Sequence, residues 1–218
     1  MRSQNLHSLE YIASHFAQEL PIMAEMRRDL EQVGLLNMAV SPVEGALLAF
    51  FARSHGVKKV VEIGTLYGYS TLWLARALPS EGRIWSLDVE AERSEQARTY
   101  AQKAGLAEFI EFVSGPALEK LPELESHGPF DLVFIDADKA AYMDYLHWAD
   151  RHLKSGGLMI GDNTFLFGAV YDQPTRANFS QGRAVEVMKE FNSWLASSPS
   201  YNSIMIPTLE GMTVAVKK

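Results

Sequence analysis

From Val57 onward, short apolar runs alternate with longer stretches of helical periodicity, and this alternation limits the fold more than any other feature. The apolar runs are Lys59–Ile63, Ile84–Asp88, Ile110–Val113, Leu132–Ile135 and Leu158–Gly161. Helical stretches lie between them near Tyr69–Leu78, Glu90–Ala104, Ala117–Leu124 and Lys139–Leu153. Short unbroken apolar runs suit strands buried on both faces, and a strand–helix–strand order favours right-handed crossovers in a parallel sheet. The predicted class is therefore α/β, with helices on both faces of the sheet. After a helix near Arg183–Ala196, the runs Ser203–Ile206 and Met212–Val216 flank a short turn containing Leu209-Glu210-Gly211. That pattern predicts a β-hairpin finishing the sheet.

The residues before Val57 read as helical. Leu6, Leu9, Ala13, Phe16 and Leu20 recur at spacings of three and four, one face of a helix that suits either core packing or a subunit interface. Pro21 punctuates, and a second helical stretch runs to about Leu36. Ser41-Pro42-Val43-Glu44 has the form of a helix start, with serine as N-cap, proline at N1 and glutamate closing a capping box. Gly56 suits the end of that helix. No repeat, linker or low-complexity segment interrupts the chain. The expectation is one domain, with a helical portion over 1–56 and an α/β core over 57–218.

Bulk properties narrow the function classes. The 218 residues carry a net charge of −7, which argues against a nucleic-acid partner. There is no cysteine, so disulfides, thiolate metal sites and a cysteine nucleophile are excluded. No apolar run approaches the roughly 20 residues of a membrane span, and the first residues lack a signal-peptide apolar stretch. A cytoplasmic enzyme or binding protein without membrane attachment is expected.

Ligands of such sheets sit beyond the carboxyl ends of the strands. At the first of these ends lies Val60-Val-Glu-Ile-Gly-Thr-Leu-Tyr-Gly-Tyr-Ser70, a strand running into a glycine loop and then a helix. Gly64 and Gly68 match neither the dinucleotide fingerprint nor the P-loop. Glu62 beside the loop would repel a pyrophosphate and favours a nucleoside carrying positive charge, such as S-adenosylmethionine (SAM). Asp88 ends the second strand, 20 residues after Gly68, where an acid can take both ribose hydroxyls or cap the Glu90 helix. Ser70 suits ligand or helix N-terminus equally. Gly115-Pro116-Ala117, after the third strand, suits an adenine wall or a plain turn.

A second set of acids ends the next strands. Asp136 and Asp138 follow the fourth, and Asp162 and Asn163 follow the fifth. Neighbouring parallel strands are about 5 Å apart, so Asp136, Asp162 and Asn163 can converge on one point. A hard cation relieves the repulsion of such acids, and an all-oxygen set suits Mg²⁺ or Ca²⁺ rather than zinc. The alternative is that Asp138 caps a helix and Asp162-Asn163 is a turn. Lys139 stands at the edge of this set, where a divalent cation can lower its pKa and make it a base. The aromatics of Phe165–Phe179, including Phe167 and Tyr171, suit either a wall for an aromatic substrate or the loop's own packing.

These residues jointly resemble the cation-dependent class I O-methyltransferases of the catechol and caffeoyl-CoA group, most closely the caffeoyl-CoA-like branch with bacterial members. The signatures are Val61-Glu-Ile-Gly-Thr-Leu-Tyr-Gly-Tyr-Ser70, Gly115-Pro-Ala-Leu118, Phe134-Ile-Asp-Ala-Asp-Lys139 and Gly161-Asp-Asn-Thr164. The resemblance covers roughly Ser41 to the C-terminus. It implies a Rossmann-like sheet of seven strands, the last antiparallel, and an N-terminal helical extension that contributes to a homodimer and to substrate shaping. It implies SAM contacts at Val40, Glu62, Gly64, Thr65, Ser70, Asp88, Ala117 and Asp138. It implies metal ligation by Asp136, Asp162 and Asn163, with Mg²⁺ (or Ca²⁺ or Mn²⁺) as the cation. Asp136 and Lys139 then carry the chemistry, and the implied reaction is methyl transfer to a phenolic, catechol-like small molecule. The chain departs from the plant enzymes at Phe167, where they place an asparagine, and in an N-terminal segment unlike their acyl-CoA-binding pattern. Two rival classes share parts of the pattern. A nicotinamide-dependent oxidoreductase would keep Asp88 but lack Glu62 and the paired acids, and a non-catalytic SAM-binding regulator could dispense with the metal set.

Overall fold

A computed structural model describes residues 6–171 and 182–218. Its elements follow the alternation of apolar runs: α1 Leu6–Phe16, α2 Pro21–Gln32, α3 Pro42–Ser54, β1 Lys59–Ile63, α4 Tyr69–Ala75, β2 Arg83–Asp88, α5 Ala91–Lys103 and β3 Ile110–Ser114. They continue with α6 Ala117–Leu124, β4 Phe130–Ile135, α7 Tyr142–His152, β5 Leu153–Asp162, α8 Arg183–Ser197, β6 Tyr201–Ile206 and β7 Met212–Lys217. The seven strands form one sheet in the order β3-β2-β1-β4-β5-β7-β6. The described residues part into two compact units, the first within Met1–Lys58 and Thr65–Ser114, the second within Lys59–Gly64 and Gly115–Lys218.

In the first unit, β2 and β3 pair in parallel from Ile84↔Ile110 to Asp88↔Ser114. The helices α2, α3 and α4 supply Met23, Met26, Leu30, Leu48 and Leu72 to its core. α3 begins as its sequence predicts. Ser41 Oγ accepts from Glu44 N (3.2 Å), and Ser41 N donates to Glu44 Oε2 (2.7 Å), a complete capping box. Gly56, at φ 58°, follows the helix in the left-handed conformation expected there. Because the Ser41 hydroxyl satisfies an otherwise orphaned N–H, Ser41→Ala is expected to cost about 1 kcal/mol, read as a lower urea midpoint at unchanged slope. The predicted N-terminal stripe differs. α1 stops at Phe16, and Leu20 precedes α2 as its N-cap in extended conformation, because Pro21 disfavours helix at the residue before it. Leu9 and Ala13 are half-buried, whereas Tyr11 and Phe16 are exposed.

In the second unit, β1 pairs with β4 and β4 with β5, all parallel, ending at Ile63↔Ile135 and Ile135↔Gly161. β7 runs antiparallel to both β5 and β6, which is the predicted hairpin. The unbroken apolar runs are buried throughout, since Val60, Val61, Ile63, Leu132–Ile135 and Leu158–Ile160 are all inaccessible. Several boundaries differ from expectation, and β4 and β6 each begin two residues early, at Phe130 and Tyr201. β5 begins at Leu153, through Lys154-Ser155-Gly156-Gly157, and the stretch from Lys139 is a 3₁₀ turn over Lys139–Ala141 before α7. Among the described residues no single helix is long and apolar enough to cross a membrane.

Candidate active site

In the first unit, the loop after β1 turns sharply into α4. Leu66 (φ 51°) and Gly68 (φ 87°) both adopt left-handed backbone, and a Cβ on Gly68 would lie 3.1 Å from Ala97 Cβ. The Asp88 carboxylate anchors this turn: Leu66 N donates to Oδ2 (2.7 Å), and Glu90 N donates to Oδ1 (2.9 Å). Arg93 stands 4.0 Å from Oδ1. Asp88 therefore serves the start of the following helix and also fixes the conformation of a strained non-glycine residue. Thr65 is buried, and its hydroxyl pairs with Ser86 Oγ at 2.6 Å. Ser70 is buried in the first turn of α4, and Val40 is buried just ahead of the Ser41 cap.

One set of partners in this unit has no periodic signal in the sequence. Tyr69, the first residue of α4, donates its hydroxyl to Glu19 Oε1 at 2.7 Å, and Arg27 grips both Glu19 oxygens at 2.8 and 2.9 Å. Arg76 Nη1 donates to Gln18 O at 2.7 Å. The connection between α1 and α2 is thereby tied to the helix that follows the glycine loop. Burial, and then the hydrogen bond to Glu19, push the Tyr69 phenol well above its ordinary pKa and keep it protonated.

In the second unit, Glu62 lies fully buried on β1, opposite Phe134. Gly64 follows at φ 109°, and a Cβ there would stand 2.0 Å from the Asp136 carbonyl oxygen. Only glycine lets the loop pass the end of β4. Asp136 N donates to Ile63 O at 2.8 Å, so Asp136 leaves the sheet directly beside that glycine. Asp136 and Asp162 each follow the last β4–β5 pair, Ile135↔Gly161, which sets the two acids side by side. Asn163 (φ 52°) donates its amide to Asp162 Oδ2 at 3.1 Å. Asp138 caps the 3₁₀ turn by accepting from Ala140 N at 3.2 Å. Ala117 opens α6 after Gly115 and Pro116.

Lys139 is held in this cluster. Its ammonium donates to Asp136 Oδ1 and to Tyr142 Oη, both at 2.8 Å. Tyr142 Oη lies 3.0 Å from Ile135 O and 2.8 Å from Asp162 O, so it bridges the carboxyl ends of β4 and β5. Burial opposes the Lys139 charge, but the Asp136 carboxylate and the hydrogen bonds to Asp136 and Tyr142 outweigh it and hold the lysine above the usual ammonium range. Burial likewise keeps the Tyr142 phenol protonated. Tyr142 is absent from the sequence-derived set, and its signal was its place three residues after Lys139, one helical turn along. Among the described residues no three His, Cys, Asp or Glu side chains gather for a metal. The expected set has two carboxylates and one amide, all hard oxygen donors, and Asp136, Asp162 and Asn163 are brought to adjacent strand ends.

Of the aromatic loop, Phe165 and Tyr171 pack edge to face at 5.6 Å. Phe167 is buried and Tyr171 is exposed, while Phe179 falls outside the described residues.

The O-methyltransferase family model matches residues 13–218. A catechol O-methyltransferase of Niastella koreensis is 33% identical over the whole of both chains. Caffeoyl-CoA O-methyltransferase 2 of Petunia hybrida is 33% identical over 98% of this chain and 90% of its own. Among solved structures, the O-methyltransferase TomG of Streptomyces achromogenes, in complex with SAM, superposes with a TM-score of 0.85 at 32% identity, covering 96% of this chain and 95% of that one. The glycine loop, the seven-stranded sheet and these matches together place the chain in the class I, SAM-dependent O-methyltransferase family.

Proposed function

We propose that this methyltransferase acts on a catechol-type phenol with two vicinal hydroxyls, assisted by a divalent cation. The observation that carries the proposal is the all-oxygen set Asp136, Asp162 and Asn163 at the neighbouring ends of β4 and β5. These residues would hold Mg²⁺, or Ca²⁺ or Mn²⁺. When bound, such a cation lowers the pKa of a coordinated hydroxyl and orients the vicinal pair. The remaining work belongs to the chain. Asp136 holds Lys139 protonated; with that carboxylate committed to a cation, the ammonium would lose a proton to solvent and the neutral amine would then accept the phenol's proton. Asp88 takes the ribose hydroxyls of SAM, Glu62 and the Gly64–Thr65 loop favour its cationic end, and Val40, Ser70, Ala117 and Asp138 complete the contacts. Because the donor's positive charge disappears on transfer, these acids favour donor over product, and alignment of the phenol oxygen with the methyl group supplies much of the acceleration. Phe165 and Tyr171 line the acceptor side.

The test is a mass screen of catechol, flavonoids and hydroxycinnamoyl esters with SAM, with and without Mg²⁺. Gain of one methyl group on a vicinal diol, lost in EDTA, is expected. Methylation of a monophenol at equal rate in EDTA would discard both the acceptor class and the cation. Exposed Tyr11 and Phe16 on α1 further support a homodimer. Light scattering should give twice the chain mass, and a monomer after Phe16→Glu.

A further inference from the structure

The segment after β5 is unusually constrained. Asn163, Leu166 and Phe167 have φ of 52°, 47° and 51°, followed by Gly168 at 84°. Side chains with a Cβ rarely adopt this conformation unless their surroundings enforce it. The enforcing element is the turn between β6 and β7. Thr164 N donates to Gly211 O (3.0 Å), and Phe165 N donates to Glu210 O (2.8 Å). Phe167 N donates to the Glu210 carboxylate itself, at 3.1 Å to Oε2. Gly211 (φ 75°) lies so close under the Phe165 ring that a Cβ would stand 2.7 Å from it. The Thr164 end has further support, from Asn192 Nδ2 to Thr164 O (2.8 Å) and from Thr213 Oγ1 to Thr164 Oγ1 (3.0 Å). At the Phe167 end, the side chain of Glu210 reaches from the hairpin to the backbone.

We propose that Glu210 is a positioning residue for the methyl acceptor. Its carboxylate fixes the aromatic segment Phe165–Tyr171 against the hairpin and so sets where an aromatic ring rests relative to Asn163. The bond runs from a backbone N–H to a charged acceptor, which makes it stronger and more directional than a neutral one. The role belongs to acceptor binding, because the amides of Phe165 and Phe167, which donate to Glu210, lie in the aromatic segment after β5. This inference rests on the catechol reading for its choice of substrate, but its structural half is independent of that reading.

The experiment uses the full chain with catechol, Mg²⁺ and SAM. Glu210→Ala is expected to raise KM for catechol about tenfold, with kcat and the KM for SAM changed less than about threefold. Glu210→Gln keeps an oxygen at the same position and should restore most of the loss. In parallel, amide exchange of peptide 164–171 should accelerate about tenfold in Glu210→Ala and recover in Glu210→Gln. An unchanged KM for catechol, or failure of glutamine to rescue it, overturns the positioning role. Unchanged exchange overturns it as well, and that arm decides the structural half even where the wild-type protein does not methylate catechol. Inactivity of the wild type on catechol defeats the acceptor assignment instead, so the two failures are separable.

Discussion

Asp136→Ala is expected to lower cation-dependent methyl transfer to catechol by about 10³-fold or more, while SAM still binds. The magnitude follows from the several kcal/mol that a bound cation contributes to transition-state stabilisation, at tenfold per 1.36 kcal/mol. The variant has a second effect that must be separated from the first. Asp136 is the carboxylate partner of Lys139, and both side chains are largely buried. Removing it leaves an uncompensated ammonium, which costs about 3–5 kcal/mol of stability in a buried pair. The companion Asp136→Ala/Lys139→Met removes the stranded charge and should recover most of the stability without recovering activity. Calorimetry with SAM and thermal unfolding distinguish the two effects. Near wild-type turnover of Asp136→Ala, indifferent to EDTA, would remove Asp136 from the cation set.

Gly64→Ala should be among the most damaging single changes to the fold. A left-handed backbone with a Cβ costs about 1–2 kcal/mol, and the new methyl would lie 2.0 Å from a main-chain carbonyl that has no rotamer to escape into. The total is expected to reach about 4 kcal/mol, the range reserved for named structural faults. For a chain of this length that corresponds to a melting temperature lower by about 8–16 °C. The displaced carbonyl belongs to Asp136, so surviving protein should also need more Mg²⁺ for half-maximal activity. A melting temperature equal to that of the wild type would show that the end of β4 yields easily.

What could be read in advance followed the reach of the signals. β1 and α6 have the boundaries expected for them, because an unbroken Val-Val-Glu-Ile run and a Pro116–Ala117 start are local statements. The first half of β5 was hidden, since Lys154-Ser155-Gly156-Gly157 has loop composition and joins the strand only through its neighbours. Asp88 and Asp138 were legible as acids at strand ends, and each also serves its own backbone, as the competing cap readings allowed. The bridge that Tyr142 makes to Asp162 and the bond from Tyr69 to Glu19 were not legible. Their partners lie 20 and 50 residues apart, and no local period records a hydrogen bond across that separation.

The double attachment of Asp88 bears on how this protein can diverge. A carboxylate has about four acceptor positions, and the N–H groups of Leu66 and Glu90 already occupy one on each oxygen. Those that remain are enough for a pair of hydroxyls. Given the ribose role proposed for Asp88, any replacement that recognises a different nucleoside must at once find a new way to hold Leu66 in its left-handed turn. Single substitutions at this position therefore lead through a misshapen loop before they reach an altered preference. On the proposed reading, acceptor choice meets no such coupling, because the side chains of Phe165 and Tyr171 can change while Glu210 keeps its hold on the Phe167 backbone. Lineages descending from this sequence should change what they methylate far more readily than what they methylate with.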